Sequence, residues 1–345
     1  MTDLSEPPIT APEGFPICIR AYGDETESSR LGHLVGGLVR HISRTFDLSG
    51  LDGMTIAGDY VQALAELDRG YAATIVLTPS EGDVIGIAMT PSVLRDGILK
   101  SHLVFNAGLV SAVLDDSSEH YQLAIHMIAH ECAHVEITHA FDTCFPGVQL
   151  RTRHTDPLRN LRWNIIFACW DEYAATRRSS CYGQDPTVGY EDTFLLALGH
   201  TEDRANAAIR SYRWHADVDQ VLREVSDAYG QLMKFAAYHL GNMAGQGLAD
   251  DDLPRTKQAL DGHWFQPVWL KLRAACETLW DGFGSWDDQT GFEAIGDIAV
   301  ELMANQGMRL TPLDGDGMHV DLPFTPQTEA FGIEAYLASL LGKAA

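Results

Sequence analysis

Residues 126–140 read HMIAHECAHVEITHA, and no other stretch constrains the chain as much. Leu123, Ile125, Met127, Ile128, Ala129, Cys132, Ala133, Val135 and Ile137 make the segment strongly apolar. Such a run predicts a buried helix. The imidazoles and carboxylate it carries then need partners, because a polar group removed from water without one is costly.

Residues four apart on a helix differ by roughly 40° in direction and 6 Å in height. His130 and His134 therefore project from one face, within reach of a single metal ion. Neutral imidazole suits zinc, and catalytic zinc takes three protein ligands and leaves a position for water. Glu131 follows the first histidine by one residue. That places its carboxylate beside the open position, where it can take a proton from the zinc-bound water. The rival outcome is a helix whose histidines only hydrogen-bond to neighbours. His126 is roughly 12 Å along the axis from His134, too far to share one tetrahedral ion. His139 faces elsewhere, and a third histidine six residues after His134 is absent, since Ala140 stands there. His126 and His139 read as ordinary core or surface histidines.

The formal net charge of −24 repels phosphate backbones and anionic membranes, which argues against nucleic-acid and membrane partners. It favours basic peptides, and it serves solubility equally well. The six cysteines are scattered without a CxxC pair, which predicts neither a cysteine zinc cluster nor a disulfide framework. The first residues, MTDLSEPPITAPEGF, are polar and Pro-rich without an apolar signal core. No apolar run reaches the roughly 20 residues of a membrane helix. A reducing, cytoplasmic setting is the expectation.

Along the chain, residues 1–16 read as a disordered leader. Helical spacing runs from Ser28 to Phe46, MTIAG reads as a strand, and DYVQALAELDRG as a helix closed by Gly70. YAATIVLTP, DVIGIAMTP and SHLVFNAG are β-like. After the histidine segment the chain turns helical, with core-facing stripes over Val218–Leu240 and Phe265–Phe283. GQGLADDDLP reads as a linker or long loop, and MRLTPLDGDGMHVDLPF as a hairpin. The predicted fold class is α+β: a small sheet packed on the His-Glu-x-x-His helix, followed by a mainly helical region. Its divisions are the leader (1–16), a metal-binding domain (17–185) and a helical subdomain ending in a hairpin (186–345).

HECAH resembles the signature of the zincin metallopeptidases, over roughly residues 50–180. In that superfamily a helical region and a small sheet precede the active-site helix, and many members take a third ligand from a glutamate on the next helix. Leu158, Leu161, Ile165, Ala168 and Cys169 form an apolar face that Glu172 continues. A carboxylate on a buried face needs a cation. Arg177 or Arg178 is one source, and a metal is the other. DEYAA resembles the glutamate helix of the gluzincins, which implies Glu172 as third ligand. Some gluzincins carry an aspartate four residues further on, oriented toward a ligand histidine. Thr176 occupies that position here, so Asp171 either takes the supporting role or is itself the ligand.

The resemblance thus implies a zinc metallopeptidase holding one Zn2+ per chain on His130, His134 and Glu172. Glu131 activates the zinc-bound water against a peptide bond. The alternative is a zincin-fold metal-binding or partner-binding module without turnover. Tyr173, Tyr190, Tyr212, His200 and His215 all follow the site, and the sequence ranks none of them as an oxyanion donor.

Overall fold

The computed structural model describes residues 6–73, 75–79, 86–152, 155–315 and 317–329. Its strands and helices, in chain order, begin with β1 (Ile17–Arg20), α1 (Glu25–Ile42), β2 (Leu51–Ala57), α2 (Tyr60–Ala65), β3 (Ala88–Met89), β4 (Ser92–Arg95) and β5 (Ile98–Asn106). A single turn, α3 (Ala107–Val110), precedes the long helices α4 (Tyr121–Cys144), α5 (Pro157–Ser179), α6 (Thr187–His215) and α7 (Val218–Gln246). Helices α8 (Pro254–Leu260), α9 (Gln266–Asp281) and α10 (Thr290–Asn305) follow, then the antiparallel pair β6 (Arg309–Pro312) and β7 (Met318–Asp321).

β1, β2 and β5 run parallel, and α1 makes the crossover between the first two. β3 and β4 both pair antiparallel with the other side of β5, along different halves of it. Side chains on β5 alternate between faces, as strand geometry requires. Leu103 and Phe105 join the main core with α4, whereas Val104 packs with Ala57, Tyr60 and Leu64 on the far face. His102 also faces that far side, bonded to Thr55 and Asp52.

Helix α4 is buried on nearly all sides, which explains an apolar sequence with no single polar face. The sheet and α1 cover one side of it, and α5 covers the other. Asp156 caps α5, accepting from the main-chain N–H of Leu158 and Arg159, and Pro157 occupies the first helical position. Asp217 caps α7, and Gly247 ends it at φ 69°. Helix α7 lies against α5 at very close range. A side chain at Gly241 would put its Cβ 2.2 Å from Thr176 Oγ1 and from the Tyr173 carbonyl oxygen. One turn later, Gly245 meets Ser180 and the Arg177 carbonyl in the same way.

The α+β arrangement matches the expectation, with local corrections. YAATIVLTP forms no strand among its described residues; Ile75 is 76% and Val76 63% exposed. Both sides of β5 are already paired, by β2 and by β3 with β4, so the segment finds no partner there. Of DVIGIAMTP, only Ala88–Met89 is a strand, and residues 83–85 lie outside the described residues. Helix α2 stops at Ala65, five residues before Gly70. GQGLADDDLP is the capped end of α7, a 3₁₀ turn over Asp250–Asp252 and the start of α8. Residues 6–16 have no helix or strand, yet Ala11 and Phe15 are buried and Thr10 donates to the Phe46 carbonyl. Among the described residues no helix is long and apolar enough to cross a membrane.

Candidate metal centre

His130 and His134 leave α4 one turn apart, with ring centroids 4.7 Å from each other and Nε2 atoms 3.1 Å apart. Glu172 comes to the same point from α5. Its Oε2 lies 3.4 Å from His130 Nε2 and 3.5 Å from His134 Nε2. All three residues are buried. Four ligands at about 2.0–2.1 Å around tetrahedral zinc are separated from one another by about 3.3–3.4 Å. The three edges here, 3.1, 3.4 and 3.5 Å, fit one face of that tetrahedron. Glu172 Oε2 is buried and has no hydrogen-bond partner among the described residues, the state of an oxygen reserved for a cation. The arrangement is that of a gluzincin-like His-Glu-x-x-His metal site.

Adjacent carboxylates on α5 divide two tasks. Asp171 Oδ2 lies 3.0 Å from Nδ1 of His134, while Glu172 addresses Nε2. A carboxylate at Nδ1 keeps a proton there, so Nε2 is the nitrogen whose proton a metal would displace. Thr176, where some gluzincins carry aspartate, points instead into the α5–α7 contact. It donates to the Glu172 carbonyl at 2.8 Å and abuts Gly241, which leaves no room for a larger side chain.

The cation beside Glu172 is neither of the two arginines considered from sequence. Arg177 donates to the Tyr173 hydroxyl, and Arg178 pairs with Glu136. Lys234 of α7 provides it, with Nζ 3.3 Å from Glu172 Oε1. Burial alone would raise the Glu172 carboxyl, but Lys234, His130 and His134 hold it well below the usual carboxylate range. Burial alone would lower His134, yet Asp171, with Glu172 and Glu131, pushes it up to about 10. Asp171, Glu172 and Glu131 together draw positive charge to this point, whether as a second proton on His134 or as a divalent cation in its place.

Glu131 is buried, and its Oε2 accepts the Thr90 hydroxyl at 2.7 Å. Thr90 lies between β3 and β4, so the sheet edge orients the carboxylate that neighbours the first histidine. Of the aromatic candidates, Tyr190 reaches the site's border, and Tyr238, absent from the sequence reading, joins it. Tyr238 stacks on the His130 ring with centroids 5.9 Å apart, and Tyr190 lies 5.4 Å from Tyr238. Burial first, then Glu172, pushes the Tyr238 phenol well above its ordinary value, so it stays protonated as a donor. His126 is a core histidine, but it adjoins the site: its Nε2 is 3.1 Å from the Tyr190 hydroxyl, and its Nδ1 is 3.2 Å from the Tyr182 carbonyl. His139 faces away, near Asp47. Tyr173 points toward Arg177, and Tyr212 and His215 sit more than roughly 30 Å along α6 from Tyr190.

Thr90, Lys234 and Tyr238 went unread in the sequence. The available signal was the stripe Lys234, Tyr238, Gly241, Gly245, whose three-to-four spacing places a cation, a phenol and two bare backbone positions on one face of α7.

No family model, curated protein or solved structure matches the chain.

Proposed function

We propose that the protein is a zinc-dependent metallopeptidase. The observation that carries this reading is the triangle of His130 Nε2, His134 Nε2 and Glu172 Oε2, with edges of 3.1–3.5 Å and a buried Glu131 one residue from the first histidine. His130, His134 and Glu172 would hold the ion. Zinc in that position supplies Lewis-acid charge and lowers the pKa of a coordinated water.

Glu131 then acts as general base. It takes the proton of the attacking water and passes it to the leaving amine, while Thr90 fixes one of its oxygens. Asp171 holds the His134 tautomer. Tyr238 keeps its proton and lies against His130, which makes it a candidate donor to a developing oxyanion. Peptides or proteins are the substrate class; the acidic chain favours basic ones.

A peptide-library screen of the parent and of Glu131→Gln tests the reading. The parent should cleave, and the variant should keep its zinc while losing about 10²-fold or more in turnover. A variant as fast as the parent would contradict the role of Glu131. Tight zinc binding with no cleavage of any library would favour a binding module without turnover.

A further inference from the structure

A ligand carboxylate in this site already has a cation. Glu172 is 9% exposed, and its two oxygens face different partners. Oε2 faces the two Nε2 atoms, and Oε1 faces the Lys234 ammonium at 3.3 Å. Lys234 is itself largely buried, with 22% of its side chain exposed. Its helix is held in place by the turns that follow it. Tyr238, one turn on, stacks on His130, and Gly241 and Gly245 seat α7 directly on the α5 backbone.

We propose that Lys234 is the resident counter-cation of the metal site. It is a positioning residue that keeps Glu172 aimed, holding Oε1 so that Oε2 faces the two imidazoles, and a bound metal would share the carboxylate with it. This rests on the zinc-site reading above. Two consequences of opposite sign follow. Without metal, Lys234 stabilises the fold, because a buried carboxylate that loses its partner is strongly unfavourable. With metal, the same ammonium lies across one carboxylate from a divalent cation and repels it. Lys234 therefore favours an assembled empty site and weakens the hold on the ion. A salt bridge that only tied α7 to α5 would support the loaded and empty forms equally.

The test compares the full-length parent, Lys234→Met and Lys234→Arg by thermal melting with and without zinc, and by zinc affinity in competition with a chromogenic chelator. In Lys234→Met the metal-free melting temperature should fall by several degrees and the zinc-loaded one by clearly less. Its zinc affinity should rise about tenfold. Lys234→Arg, which keeps the charge, should stay near the parent in both. If Lys234→Met does not fold without metal but is recovered in zinc, the inference gains, and Lys234→Gln supplies the affinity. Equal loss of stability in both forms with unchanged affinity would overturn it, as would a weaker affinity in the methionine variant. A parent that takes up no zinc would instead remove the zinc-site reading itself, a failure distinguishable from the others because it precedes any substitution.

Discussion

The Thr90 hydroxyl lies 2.7 Å from Oε2 of Glu131 and joins the sheet edge to the carboxylate of the helix that carries both histidines. This bond leaves the ligands untouched, so it separates base orientation from metal binding. Thr90→Val keeps the shape and removes the donor. A hydrogen bond to a charged group contributes about 1.5–3 kcal/mol. Turnover on a library-derived peptide should fall about 10-fold or more, with zinc content unchanged. Unaltered turnover would show that Thr90 does not orient Glu131.

Asp171 and Glu172 are consecutive, yet they address opposite nitrogens of His134. Glu172→Ala removes a ligand atom and should weaken zinc binding by more than about 100-fold. Asp171→Ala removes only the support at Nδ1 and should cost about 10–100-fold. Chelator competition measures both. A larger loss in Asp171→Ala would mean that the two roles are exchanged.

His239 is completely buried between α6, α7 and α8, with Nε2 2.9 Å from the Thr256 hydroxyl oxygen. Thr256 donates its own proton to Glu191, so His239 Nε2 carries a proton and donates. Its Nδ1 has no hydrogen-bond partner among the described residues. Burial pushes this imidazole down to about 4. Between that value and the unfolded pKa of about 6.5, the unfolded chain binds more protons than the folded one. Stability should therefore fall as pH drops from about 6.5 toward 4, by on the order of 3 kcal/mol from this group. Urea unfolding of the metal-free protein across that range should show the loss, and His239→Gln should flatten it. An identical pH slope in the variant would exclude His239 as the source.

Gly241 has no space for a methyl group, because the nearest atoms belong to the α5 backbone and to Thr176. Gly241→Ala should destabilise the fold by about 1–3 kcal/mol. It should also weaken zinc binding, since the Tyr173 carbonyl and Thr176 that a methyl group would push belong to the turn of α5 that carries Glu172. Urea midpoints and chelator competition report the two effects. A variant as stable as the parent would show that the helices separate without penalty.

How much of this was legible in the sequence depended on how far each feature sat from its partners. His130, Glu131 and His134 lie within one helical turn, so helix geometry alone fixes their relation. Glu172 was legible because it continues an apolar face. Choosing between it and Asp171 needed the rotation of α5 against α4, since consecutive helical residues point roughly 100° apart. Lys234 and Tyr238 are more than sixty residues further on. They enter the site only because two glycines let α7 settle on α5, a tertiary fact with a faint local trace. YAATIVLTP misled because β-like composition makes a strand only where a sheet edge is open, and the sides of β5 were taken.

The central claim is that His130, His134 and Glu172 hold one zinc ion, and metal content tests it most directly. The full-length chain should be stripped with chelator, incubated with zinc at neutral pH, desalted and weighed intact under native conditions. The account predicts about one zinc per chain, lost in the His130→Ala, His134→Ala double variant while the fold persists. A chain that retains no divalent metal, or a double variant that retains as much as the parent, would contradict it.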